Sequence, residues 1–333
     1  MKKRTLAFVV TLPIACIVGC IVLSALYNSF ASARWLRTPL APGTLYDVEG
    51  RGVYATVKGE GPVTVVIEGD VGEPSMTWWD VQERLASRAR VITYDRAGYG
   101  WSESGAGPRT GGRIVSELKS LLAATRCRGP YLLVGHGLGG LYALHFARMN
   151  PGSIRGVLLI NPLTIYEEDV KKETPSIVYQ NLLNRSGFIF FSYGLSCSGL
   201  SRTLRVVHLP GVSSSLVKPI RGYFSLVRTN KTMVDEYIEG FRPSVEEVNA
   251  EGPFPPVPLV VLGYNASDLA DNLYQFDLSY DEVERTVNAK RMALKRTAAL
   301  SPRGVYIETA PGVDTIQLTD PGYLVRIITS LLP

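Results

Sequence analysis

Histidine is nearly missing from this chain: 333 residues contain three, His136, His145 and His208, and none follows His208. Chemistry that needs an imidazole near the C-terminus is thereby excluded. Cysteine is sparse as well, with Cys16, Cys20, Cys127 and Cys197. The first two sit in an apolar N-terminal run, which leaves only Cys127 and Cys197 able to pair in the folded body, and no Cys/His spacing suits a metal. Neither sign of charge dominates. Lys2, Lys3 and Arg4 supply three of the five surplus positive charges, so the rest of the chain is near neutral and has no nucleic-acid footprint. Internal repeats and low-complexity tracts are absent, and no cofactor is expected.

What is present begins with an uncharged, mostly apolar run from Thr5 to about Tyr27 behind those three basic residues. At about 1.5 Å per helical residue it is long enough for a bilayer core of about 30 Å. Ala31-Ser32-Ala33 resembles a signal-peptidase site, but the run is longer than the usual signal core. Ile17-Val18-Gly19-Cys20 loosely resembles a lipoprotein box, but Ile21-Val22-Leu23 carries the run past the cysteine. A retained single-pass anchor is the favoured expectation. Basic residues ahead of it favour a cytoplasmic N-terminus and a body on the far side. Trp35, between Arg34 and Arg37, suits either the headgroup layer or a place against the body. The expected organisation is a stub and anchor at 1–27, a linker at 28–43 and one domain at 44–333.

In that domain Leu45–Glu49 and Val53–Lys58 alternate like a hairpin. Val63–Ile67, Val91–Tyr94, Tyr131–Val134, Gly156–Ile160, Val257–Leu262 and Val305–Glu308 read as strands. Helical patterns at 79–87, 113–125, 138–149, 281–300 and 322–332 come between and after them. Strands alternating with helices predict an α/β fold, a mostly parallel twisted sheet covered on both faces. Residues 162–250 break the alternation and read as a helical cap over the ligand edge of the sheet.

The stretch that organises the rest is Tyr131-Leu132-Leu133-Val134-Gly135-His136-Gly137-Leu138-Gly139-Gly140, a buried strand turning sharply into a helix. With Asp95-Arg96-Ala97-Gly98-Tyr99-Gly100-Trp101-Ser102, Pro108-Arg109-Thr110 and Gly312-Val313-Asp314-Thr315-Ile316-Gln317-Leu318, it resembles the α/β-hydrolase superfamily, in the branch with D-R-x-G-x-G-x-S and G-H-S-x-G-G segments. The resemblance covers about 44–333. It implies a nucleophile on a strained elbow, then an acid, then a histidine. By that mapping the nucleophile falls on Gly137, the histidine on Val313, and the acid on Asn161 or Asp268. Glycine forms no acyl intermediate and valine accepts no proton. The former oxyanion site maps to the Leu138 amide and the loop with Gly69 and Asp70, where an inward carboxylate would oppose a developing oxyanion. Leu138 and a loop amide could still face a ligand oxygen.

The remaining candidates favour bland roles. His136 is expected to pack near the elbow, His145 lies too far down its helix, and His208 in the cap is the one remote imidazole. Asp95 and Arg96 suit a structural turn. Cys197 is expected to be a buried thiol; Phe188–Phe191 the underside of the cap, narrowly ahead of a greasy surface for lipid or a partner subunit; and Arg285, Lys290, Arg291, Lys295 and Arg296 a solvated helix face, ahead of one that meets acidic headgroups or an acidic partner. The resulting expectation is a membrane-anchored pseudoenzyme that contacts other protein subunits. A binder of a small apolar or lipid ligand is the first alternative, and a relocated-site hydrolase the second.

Overall fold

The computed structural model describes residues 2–39, 42–204, 211–309 and 313–333. Eight strands form one sheet: β1 (Thr44–Val48), β2 (Arg51–Lys58), β3 (Thr64–Glu68), β4 (Arg90–Tyr94), β5 (Tyr131–His136), β6 (Ile154–Ile160), β7 (Leu259–Gly263) and β8 (Gly304–Glu308). Their spatial order is β1-β2-β4-β3-β5-β6-β7-β8. The β1–β2 and β2–β4 pairs are antiparallel, and every other pair is parallel. Order and polarity are those of the α/β-hydrolase fold, as expected.

The period of two along each strand divides the core. Val66, Ile92, Leu133, Val157 and Leu159 face one side, against helices α3 (Gly111–Ala124) and α4 (Leu138–Met149) and the long helix Tyr280–Ala298. Val65, Ile67, Val91, Leu132, Val134 and Leu158 face the other, against α2 (Trp79–Leu85) and the closing helix Pro321–Leu331. The central strands are buried on both faces, which is why they read as unbroken apolar runs. Helices between Glu167 and Ala250 form the cap.

Four expectations need correction. The stretch 28–43 is not simply a linker: one helix, α1 (Lys2–Leu36), continues into it as far as Leu36. Asn28, only 2% exposed, donates to the carbonyls of Ser196 and Ser225, at 2.9 Å each, and accepts from Arg202 Nε at 2.9 Å. Trp35 stacks on Trp101, ring centroids 4.0 Å apart, so it belongs to the body. Polar side chains that read as a tether are gripping points once a partner surface arrives. Lys290 is buried and paired with Glu167 at 3.3 Å, while Arg296 pairs with Asp169 and Arg291 with Glu308; much of the basic helix is therefore bound to its neighbours. Cys197 is exposed and Cys127 buried, both free. Phe188, Phe190 and Phe191 are exposed rather than tucked beneath the cap. The part of α1 from Thr11 to Leu36 is long and apolar enough to cross a membrane.

The Asn28→Ala substitution is expected to leave two buried carbonyls and Arg202 short of partners, at about 1–3 kcal/mol. Limited proteolysis in detergent should then cut between 37 and 43 faster than in wild type, with the sheet domain still resistant.

Candidate functional site

β5 delivers the chain to Gly137 at φ 52°, ψ −119°, and α4 starts at the next residue. A non-glycine residue is strained at such a positive φ. Around this elbow the structure gathers the expected oxyanion elements, with a different occupant. The Leu138 and Val71 amides both donate to Asp70 Oδ1, each at 2.7 Å. Leu138 and a loop amide do converge, but on a carboxylate of the chain itself, not on open space for a ligand oxygen. Asp70 thus faces inward. A Cβ built on Gly137 would overlap Asp70 Cγ, so the carboxylate fills the space a side chain at the elbow would need. Its second oxygen pairs with the Arg185 guanidinium, which the cap supplies.

Glu73, three residues on, completes the cluster. Its Oε2 accepts from the Asp70 amide at 2.9 Å and meets His136 Nδ1 at 2.8 Å. Its Oε1 accepts from Thr77 Oγ1 at 3.0 Å and from Gln317 Nε2. Burial alone would lower the His136 pKa, but the Glu73 carboxylate, helped by Asp70 and Asp314, raises it to about 9. Burial pushes Asp70 up, and Arg185, His136 and the two amides outweigh it, so its pKa is lowered. Burial acts the same way on Glu73, and His136 again prevails. Two carboxylates, one imidazolium and one guanidinium thus balance beneath the cap.

The other mapped positions fall nearby. Asn161 follows β6 in a left-handed conformation, φ 39°. Its Nδ2 donates to Tyr264 OH at 2.7 Å and to Asp314 Oδ1. Val313 opens a short helical turn, Val313–Thr315, and its side chain lies outside the described residues. Asp268, in the helix Ala266–Tyr274, lines a polar cavity of about 340 Å³ with Gly137, Asn161 and Asp314. Gly69 contributes its carbonyl to Arg96 Nη1 at 2.6 Å. Among the described residues neither histidine is bonded to a serine or cysteine. His136 holds Glu73, and buried His145 lies 3.7 Å from Glu251. His208 lies outside the described residues.

Asp95 and Arg96 have the structural role expected. Buried Asp95 accepts from the amides of Ser75 at 2.9 Å and Trp101 at 3.3 Å. Arg96 pairs with Glu68 at 2.8 Å and Glu236 at 2.9 Å, and its Nη2 donates to the Asp70 carbonyl at 3.0 Å. It therefore pins the backbone of the loop whose side chain enters the elbow.

The sequence reading missed Glu73 and Arg185. Glu73 had a signal: two carboxylates three residues apart in a loop next to a histidine-bearing elbow. Arg185 had none, because only the tertiary fold brings it to Asp70.

The alpha/beta hydrolase family model matches residues 71–314. The chain belongs to this family. Among curated relatives, this hydrolase-family chain is 37% identical over 105 residues to the uncharacterized protein YqjL of Bacillus subtilis, covering 32% of this chain and 42% of that one. It is 32% identical over 92 residues to an uncharacterized vacuolar membrane protein of Saccharomyces cerevisiae, covering 27% and 14%. It thus spans less than half the length of these relatives. Among solved structures, an epoxide hydrolase mutant from Vigna radiata superposes with a TM-score of 0.63 at 14% identity, over 87% of this chain and 97% of that one. The serine hydrolase CarC of carbazole degradation gives 0.55 at 15%, with the same coverage. At such identities the likeness is one of fold.

Two predictions follow the geometry. The raised pKa of His136 favours the folded state fully below about 6.5, the unfolded value, and that contribution is lost as pH rises through about 9. It is on the order of 3 kcal/mol. Thermal unfolding in detergent should show stability falling over that window, and His136→Gln should flatten the fall. The Gly137→Ser substitution forces a Cβ into Asp70 at a positive φ, so it should destabilise by roughly 2–4 kcal/mol. Combined with Asp70→Gly, the double variant should be clearly less destabilised than the sum of the singles.

Proposed function

We propose that this chain is a membrane-anchored pseudoenzyme, a hydrolase-family scaffold that binds rather than cleaves, its body on the side of the bilayer away from Lys2, Lys3 and Arg4. The observation that carries the reading is Asp70 Oδ1 engaged by both the Leu138 and Val71 amides. A developing oxyanion would have to displace a buried carboxylate from the donors that should stabilise it. Gly137 offers no attacking atom. A relocated reaction through Asp70 and His136 is disfavoured, since Arg185 holds the second Asp70 oxygen and His136 carries its proton at neutral pH.

Binding leaves two kinds of occupant. The anchor suits an accessory subunit of a membrane complex. The cap suits a small apolar ligand, because a cavity of about 400 Å³ lies beside Asp70, Glu73 and His136, walled by Phe188, Ile189, Phe191, Leu195, Phe224 and Met233. A mostly apolar chamber with a few polar groups on one wall is the usual form of a small-molecule site. The cavity is the more specific of the two observations, and we rank the ligand first.

Purified full-length protein should turn over neither short- nor long-chain nitrophenyl esters above background, and should take up no fluorophosphonate probe. Turnover that Asp70→Asn abolishes would overturn the reading. Native mass spectrometry after mild detergent extraction should show a bound acyl-chain lipid; co-purified protein subunits with an empty cavity would favour the accessory role.

A further inference from the structure

The body grips α1 along one stripe. Ser24, Ala25, Asn28, Ala31, Ser32 and Trp35 are shielded, whereas the side chains from Thr11 to Leu23 stand clear. The first grip is at Ser24, whose hydroxyl lies 3.2 Å from that of Thr203. Gly199 packs so closely on the Ser24 carbonyl that any Cβ there would overlap it. The uncharged run ahead of that grip, Thr5 to Leu23, is 19 residues, and at about 1.5 Å each it spans roughly 28 Å, close to the thickness of the hydrocarbon core. The elements that first touch α1 must then lie at the surface of the bilayer it crosses. They are the helices Ser186–Cys197 and Leu200–Thr203.

These are the elements with the bare aromatic face. Phe188 is 67% exposed, Phe190 53% and Phe191 62%, and Leu204, just past the neighbouring helix, is 62% exposed. The helix Ser186–Cys197 has no charged residue in its sequence SGFIFFSYGLSC, and at 12 residues it is too short to span a bilayer. Three bare phenylalanines grouped on one uncharged helix mark an interaction surface. Here it continues, through the bonds at Asn28, Ser196 and Arg202, into an apolar membrane-length helix. Phe188 and Phe191 also wall the cavity while remaining exposed, so the rim of that chamber lies on the same bare face.

We propose that the cap helix Ser186–Cys197 is seated in the surface of the bilayer that α1 crosses, with Phe188, Phe190 and Phe191 immersed in its apolar edge, and that the cavity behind it opens onto lipid. Arg202 then stands at headgroup depth. Acyl chains reach the cavity laterally from the membrane, not through water. This route rests on the ligand-binding reading proposed above, whereas the seating of the helix does not.

The test uses cysteine-free full-length protein in phosphatidylcholine vesicles, with single spin labels at Phe190→Cys, at Val18→Cys within α1, and at Met149→Cys at the far end of α4. All three are exposed positions, so folding should be unaffected. The label at 190 should be open to oxygen and closed to a water-soluble nickel relaxant, like that at 18 and unlike that at 149. A label at 190 as open to nickel as the one at 149 overturns the proposal. So does one closed to both reagents, which would mean a protein partner covers the face. If native mass spectrometry finds lipid in the cavity while 190 lies in water, the membrane seat fails and the ligand reading stands. If 190 lies in lipid and the cavity is empty, the seat stands and the ligand reading fails.

Discussion

Two buried amides with one acceptor set the terms for this molecule. An N–H left unpaired away from water costs as much as a lost hydrogen bond or more, and the elbow turn and the β3 loop each aim one at the same point. Asp70 answers both with a single oxygen. A buried carboxylate needs a counter-charge, and Arg185 brings it from the cap. The turn, the loop and the cap are therefore held by one group, and the cap cannot lift without stranding a charge.

A second buried cluster keeps that group in place. Arg96 reaches Glu68 beneath, Glu236 in the cap region, and the carbonyls of Gly69 and Asp70. Arg109 extends it by pairing with Glu117 at 2.7 Å. The Asp95–Ser102 segment has work to do in the fold whatever happens at the elbow. Its role beside an elbow glycine is packing and hydrogen bonding.

Much of the architecture was legible because it rests on local pattern. The unbroken apolar runs of the central strands and the amphipathic pattern of α3 come from residues near one another in sequence, and the glycine at 137 is a matter of identity alone. What stayed hidden depends on long-range contact. Nothing around Arg185 points to Asp70. Asn28 and Ser32 read as tether until the cap helices meet them, and Trp35 suited headgroup layer and body equally. The Phe188–Phe191 run looks the same in sequence whether it faces core or membrane, since hydropathy reports that a residue avoids water and not what replaces the water. Lys290 looked solvated because its partner Glu167 lies on a different helix.

The mutual fit of Gly137 and Asp70 has a mutational consequence. A side chain placed at 137 collides with the carboxylate, while a carboxylate withdrawn from 70 leaves two amides and a cap arginine without their partner. The two positions are therefore coupled: a change at either one alone meets a clash or a stranded donor, and only a concerted change gives the elbow room for a side chain.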